Sequence, residues 1–358
     1  MIRRPPRSTH CISSAASDVY KRQVVAIDIN DGSIVTLFSS PTFSTNQLAN
    51  GILQKDFDEL LLSEEKPFFN RALRGRYPPA SSIKPAIAMY GIEEGLIDWN
   101  FSIFDEGFFT LPEDGRIYRD WKEGGHGDTN LFKAITQSSN TYFFDLAYRS
   151  DINQLNKHLS SLGFGNKACI DCFEEDQVFV PEPSWKINKH NFGWFKGDTV
   201  NMGVGQGYLV STPIQLAKYA YIMANKGKFS DLSLKKDLVK SEKSIEFNKF
   251  SNDDWFKLHE SMVNVIEGNT GTARRLREKK NYIVAAKTGT AELVSGDNRE
   301  QYSETRLDDS LRDHALIIAF GPMPNPRYAV SVVVENGESG GSVAGPVAIS
   351  VLNSLIQE

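Results

Sequence analysis

The sequence predicts an α+β fold in which an antiparallel sheet, drawn from both ends of the chain, is packed by helices and joined to an all-helical lobe. Three observations carry this expectation. Residues 24–29 (VVAIDI), the turn Asn30-Asp31-Gly32 and residues 33–38 (SIVTLF) read as a hairpin near the start. A second hairpin, 314–320 and 328–334 around the turn 322–326, lies near the end. Between about Pro78 and Gly227 the apolar spacing turns mostly helical.

Each further element has its own signal. Pro78 and Pro79 favour an extended or turn geometry, and helical pattern resumes through Ala86, Ile87, Ala88 and Met89, so the Ser81 region reads as a helix start. Thr212 can cap and Pro213 open a helix that Gly227 stops. Residues 282–286 (YIVAA) form a strand that ends at Lys287 and completes the sheet. Residues 345–357, with Pro346 in the first turn and Val347, Ile349, Val351, Leu352 and Leu355 as apolar positions, predict a terminal helix packed on that sheet. Two polar inserts, 228–254 and 295–311, interrupt this order, the second long enough to serve as a lid or binding loop.

Composition limits the function classes. The 358 residues carry a formal charge of −5, yet Arg3, Arg4, Arg7, Lys21 and Arg22 against Asp18 give the first 23 residues +4, which puts the remainder at −9. So acidic a body argues against nucleic acid as the main partner. Residues 1–23 lack the continuous apolar run of a signal peptide or membrane anchor and are similar to the translated read-through of a cloning adapter. They are set aside as a disordered, non-native segment, and residues 24–358 are read as one domain of two lobes. No other segment approaches a membrane span, so any anchor is expected to be missing from this chain. Of the three cysteines, Cys11 falls in the odd segment; Cys169 and Cys172 form a lone C-x-x-C without a second pair or a His cluster. A surface disulfide and two unpaired thiols both remain open.

Chemistry concentrates in three short motifs. Ser81 and Lys84 stand three apart at a helix start, which puts a hydroxyl and an amine on one face, with Ser82 pointing elsewhere. Such a pair recurs by chance, but Ser138-Ser139-Asn140 and Lys287-Thr288-Gly289-Thr290 follow it in fixed order. A hydroxyl needs a base to become a nucleophile. Lys84 can be that base if burial and the nearby Lys287 charge lower its pKa. Ser81 would attack a carbonyl and form an acyl-enzyme, with the backbone N–H groups of Ser81 and Thr290 holding the oxyanion. Ser138 would relay the proton, Asn140 would bind a substrate amide, and Lys287, Thr288 and Thr290 would hold a carboxylate while Gly289 lets a substrate backbone lie close.

Together with Tyr118-Arg119-Asp120-Trp121-Lys122, Gly125-His126-Gly127, Gly197-Asp198-Thr199, Gly205-Gln206-Gly207-Tyr208, Thr212-Pro213-Ile214-Gln215 and Leu311-Arg312-Asp313-His314, these motifs resemble the elongation-type class B penicillin-binding proteins over nearly everything from Val24 onward. The resemblance implies the penicillin-binding protein and serine β-lactamase-like fold. It also implies a D,D-transpeptidase that cross-links peptidoglycan stem peptides or their lipid-linked precursor polymer through acyl-Ser81, inhibited by β-lactams. The implied location is the periplasmic face of the bacterial inner membrane, beside a partner glycosyltransferase and shape proteins. No cofactor is required. Some members of the family hold zinc, and Asp105, Asp120 and His126 match three of the ligand positions while Ser139 takes the place of the cysteine.

Rival readings are weaker. Gly337-Glu338-Ser339-Gly340-Gly341 matches a G-x-S-x-G nucleophile elbow, but no Asp or His follows it, so Ser339 is expected in a flexible turn. A β-lactamase or β-lactam sensor shares the three motifs but is shorter between the second and third. A silent scaffold would not need Ser81 at all.

Overall fold

The computed structural model describes residues 21–236, 238, 241–293 and 311–357. Five strands, β1 (Arg22–Asp28), β2 (Ser33–Ser40), β3 (Ile283–Ala291), β4 (His314–Met323) and β5 (Tyr328–Val334), form one antiparallel sheet in the order β2-β1-β5-β4-β3. Val25 sits opposite Ser331 and Lys287 opposite Ile318, so the two expected hairpins lie side by side and the motif strand forms an edge. Both faces are covered, which is why β1 and β5 read as nearly continuous apolar runs rather than alternating ones.

The helices that matter for the site are α1 (Lys84–Glu93), α2 (Leu131–Gln137), α3 (Asn140–Arg149), α4 (Lys196–Gly203), α5 (Pro213–Ala224), α6 (Asn252–Glu267) and α7 (Gly345–Gln357). One face of the sheet, with Val25, Ile27, Leu316 and Ile318, packs into the helical lobe around α5. The opposite face, with Val24, Ala26, Ile317 and Val332, packs on Ile349 and Leu352 of α7 and on Val265 and Ile266 of α6. Helix α5 is buried at every position and opens on the expected cap: Gln215 N–H donates to Thr212 Oγ1 and Thr212 N–H to Gln215 Oε1, each at 3.3 Å. The Ser331 hydroxyl donates to the Pro213 carbonyl at 2.6 Å, tying the start of this helix to the sheet.

Four expectations change. The fold begins before Val24: Arg22 and Gln23 pair with Val334 and Val333, and the Lys21 carbonyl accepts the Glu335 N–H. Residues 1–20 of the segment set aside lie outside the described residues. Strand β3 does not stop at Lys287 but continues to Ala291, because β4 extends the ladder to a His314–Ala291 pair. Cys169 and Cys172 are disulfide-bonded, yet they are buried in the helical lobe rather than at the surface, where Glu175 accepts the N–H groups of Ala168 and Cys169. The insert 228–254 carries two short paired strands and the start of α6; the expected lid at 295–311 lies, apart from Leu311, outside the described residues.

The two lobes are pinned at the end of β5. Glu335 accepts the Tyr77 hydroxyl at 2.6 Å and the Arg71 Nε at 3.2 Å, and Arg71 is almost fully enclosed. Removing the carboxylate leaves a buried guanidinium without its counter-charge. Glu335→Ala is therefore expected to lower unfolding free energy by about 3 kcal/mol in a denaturant titration, and Glu335→Gln by less.

Candidate active site

The Ser81 turn is built by constraint from behind. Residues Ala80–Ile83 form a 3₁₀ turn that runs directly into α1. Ala80 adopts φ 49°, a left-handed conformation costly for a residue with a Cβ, and its N–H is held by the Gly205 carbonyl at 2.9 Å. Gly205 has to be glycine, since a Cβ there would lie 2.3 Å from Ala80 O. Upstream, Tyr77 pairs with Ser211 through both backbone groups. Ser82 is buried with its hydroxyl on the Pro79 carbonyl at 2.6 Å, turned away as expected. Ser81 is half-buried, and its hydroxyl has no hydrogen-bond partner among the described residues.

Lys84 is fully buried and points its amine at the second motif. Nζ donates to Ser138 O at 2.8 Å, Asn140 Oδ1 at 2.7 Å and Ser138 Oγ at 3.3 Å. The direct Ser81 partnership that the shared helix face implied is thus not a hydrogen bond here, because three acceptors from the Ser138 turn claim the amine. From the other side Lys287 Nζ donates to Ser138 Oγ at 2.8 Å and to Thr288 O at 3.1 Å. One hydroxyl therefore sits between two buried amines. Ser138 reaches this position from the end of α2 in a left-handed conformation, φ 62°.

Electrostatics follow from this enclosure. Burial pushes the Lys84 amine down to about 7, against the opposing pull of Asp120 and Asp105. Desolvation rather than the Lys287 charge is the main cause. Lys287 is held well below the usual lysine range by burial and then by the Lys84 charge. It is completely enclosed beside Ser138. Thr290 is exposed on the same strand, and the Thr288 hydroxyl meets Thr272 at 2.7 Å. Gly289 packs against the Ser81 turn: a Cβ there would lie 3.2 Å from Pro79 O and 3.4 Å from Ser82 N.

Asp120 organises the start of α3. Its Oδ2 accepts the N–H groups of Asn140 at 2.6 Å and Thr141 at 3.0 Å, while Oδ1 lies 3.3 Å from His126 Nε2. Burial pushes this carboxyl upward, but the His126 contact, the Lys84 charge and the backbone N–H groups outweigh it and hold the group well below the usual carboxylate range. Ser139 caps α3 and donates to Asp105 Oδ2 at 2.7 Å. Asp105, Asp120 and His126 thus bring three metal-type donor atoms within 4.8 Å of one another, as the resemblance implied. The fourth member is a neutral hydroxyl whose hydrogen is committed to Asp105, so the set does not complete a closed structural zinc site.

Three contacts were not foreseen. The Trp121 indole N–H donates to Ser138 O at 3.0 Å, Gln206 Nε2 donates to Thr290 O at 3.3 Å, and Gly340 packs so tightly that a Cβ would fall 2.5 Å from Gly289 O. The blocks at 118–122 and 205–208 held the first two, but no spacing rule ties them to the motifs. Ser339 lies in a packed turn, not a flexible one, and caps residues 340–344 through Ser342 N–H.

Asp120→Asn, which keeps the shape and removes the charge, is expected to cost about 1–3 kcal/mol of unfolding free energy at neutral pH. Because the folded-state pKa is depressed, Asp120's contribution is complete above the ordinary carboxylate range and disappears on acidification. The gap between the native and Asp120→Asn unfolding free energies should therefore close as the pH falls.

Comparison with known proteins places this geometry. The family model described as "Penicillin binding protein transpeptidase domain" matches residues 23–353. The chain is 39% identical over 330 residues to the peptidoglycan D,D-transpeptidase MrdA of Acinetobacter baumannii, covering 90% of this chain and 48% of that protein. It is 36% identical over 346 residues to MrdA of Haemophilus influenzae, covering 94% and 53%. The chain spans about half the length of the curated relatives it matches. Among solved structures, Pseudomonas aeruginosa PBP2 in complex with WCK 5153 superposes with a TM-score of 0.85 at 34% identity, over 95% of this chain and 74% of that one. Helicobacter pylori PBP2 in its complex with MreC gives 0.85 at 29% identity, over 94% and 60%.

Proposed function

We propose, since this chain belongs to the penicillin-binding protein transpeptidase family, that it is the catalytic part of a peptidoglycan D,D-transpeptidase acting through Ser81. The single observation that supports this most is the Ser138 hydroxyl shared by Lys84 and Lys287. Neutral Lys84 takes the Ser81 proton as the oxygen bonds to the carbonyl carbon of the penultimate D-alanine. The oxyanion rests on the N–H groups of Ser81 and Thr290. Ser138, touching both amines, passes a proton to the departing nitrogen; the C–N bond breaks, D-alanine leaves and an ester to Ser81 remains. An amine from a neighbouring stem then attacks that ester and returns the proton to Ser81.

Substrate contacts follow the same elements. Lys84 occupies Asn140 Oδ1, which leaves the Asn140 amide nitrogen for a substrate carbonyl. Exposed Thr290, with Thr288 behind it, receives the terminal carboxylate, and Gly289 admits the substrate backbone. Work at the periplasmic face of the inner membrane, beside a glycosyltransferase and shape proteins of the elongation machinery, is part of the same proposal. No helix among the described residues is long and apolar enough to cross a membrane.

Fluorescent penicillin is expected to label the protein in a long-lived adduct, with loss of labelling in Ser81→Ala. Rapid release of the label would instead support the β-lactamase alternative, and unchanged labelling of the variant would remove Ser81 from the mechanism. Lys84 has to be neutral to accept a proton, so the acylation rate should rise with pH through an apparent pKa of about 7 and flatten above it. A rate already flat well below neutrality would contradict that role.

The bracing of α3 is proposed to rest on hydrogen bonds, with Ser139 on Asp105 and His126 beside Asp120. Purified protein is expected to carry no stoichiometric zinc, and a chelator should leave Tm unchanged. Stoichiometric zinc whose removal lowers Tm would overturn this.

A further inference from the structure

A second cavity lies away from Ser81, with a volume of about 390 Å³. Its wall is formed by Glu113, Asp114 and Arg116 from the hairpin Phe108–Thr110 and Ile117–Arg119, and by Trp194, Phe195 and Lys196 at the start of α4. Phe195 is 61% exposed, and the Lys186 Nζ lies 4.6 Å from its ring centre. At its back, Gly197 approaches the Tyr118 hydroxyl so closely that a Cβ would lie 2.4 Å away. That hydroxyl is enclosed with no partner at hydrogen-bond geometry among the described residues, although the Arg116 charge is close by.

The position of this cavity is fixed by α3. The Tyr148 hydroxyl donates to Glu113 Oε1 at 3.2 Å, and the Tyr148 carbonyl accepts Lys196 Nζ at 3.0 Å. Tyr148 is eight residues from Asn140 on one helix, so the cavity sits roughly 12 Å along the axis from the second motif. A peptide of four residues spans at most about 14 Å when extended, so a short peptide held at the second motif can reach this cavity.

We propose that this cavity receives a sugar ring of the glycan strand that bears the stem peptide, an inference that rests on the transpeptidase reading of Ser81. The chemistry of the lining fits a carbohydrate. Aromatic faces accept the apolar C–H side of a pyranose, while charged and amide groups at the rim pair with hydroxyl and acetamido groups. A cavity near charge balance, with acids and bases interleaved, suits a neutral, hydroxyl-rich ligand better than a strongly ionic peptide end.

Titration with tri-N-acetylchitotriose, followed calorimetrically or by NMR, tests the proposal on the whole chain. Millimolar binding is expected, weakened about tenfold in Phe195→Ala and in Arg116→Ala, each checked for folding by its Tm. Ser81→Ala should bind the sugar like the native protein, and a free stem peptide should not compete. No binding by the native protein, equal binding by both folded variants, or displacement by the free peptide would each overturn the glycan assignment. Failure of the Ser81 reading is separable, because it appears as absent penicillin labelling while sugar binding is measured directly.

Discussion

Two lysine amines that meet one serine hydroxyl in a dry interior set the terms for everything else. An ammonium group in such surroundings is costly, and two of them within reach of a single oxygen are costlier. The site therefore exists only if the surrounding residues keep at least one amine neutral while supplying enough acceptors to place both. Lys84 finds them in the Ser138 and Asn140 groups, and Lys287 in Ser138 and its own strand. Asp120 and Asp105 stand far enough back to moderate the effect on Lys84 without reversing it. The basicity needed for proton transfer is a by-product of packing.

Positioning is distributed between backbone conformations that side chains disfavour. Ala80 and Ser138 both hold positive φ, and each is fixed by groups outside its own element. Gly205 locks the first through a hydrogen bond and a contact no Cβ would allow. Trp121 and Lys84 both donate to the carbonyl of the second. Rigidity of this kind spends stability locally, and the sheet and the α5 core supply it back.

The three motifs, the two hairpins, the terminal helix and the α5 cap were legible because each depends on local chemistry: proline and glycine punctuation, β-branched runs, a hydroxyl three residues from its partner. What the sequence hid was long-range. Nothing near Lys84 announces that Ser138 and Asn140 take its amine in preference to Ser81, since that choice depends on where α2 ends. Lys287 was expected to end its strand, but β4 carries the ladder past it to Ala291, and the amine is buried. The first strand was trimmed because its basic residues resembled the segment before it; pairing with β5, not composition, decides where it starts. Asp120 was visible as a member of the 118–122 block and a possible metal ligand, but not as the acceptor of the first N–H groups of α3.

The sheet that backs the site is closed between strands from opposite ends of the chain, with Arg22 opposite Val334. Its central pairing therefore joins residues far apart in sequence, and loop-closure entropy opposes it until the segment between them is available. During synthesis the segment holding Ser81 and Lys84 emerges long before the strand holding Lys287. The acylation proposed for Ser81 therefore has to wait until the strand holding Lys287 has been made and has paired.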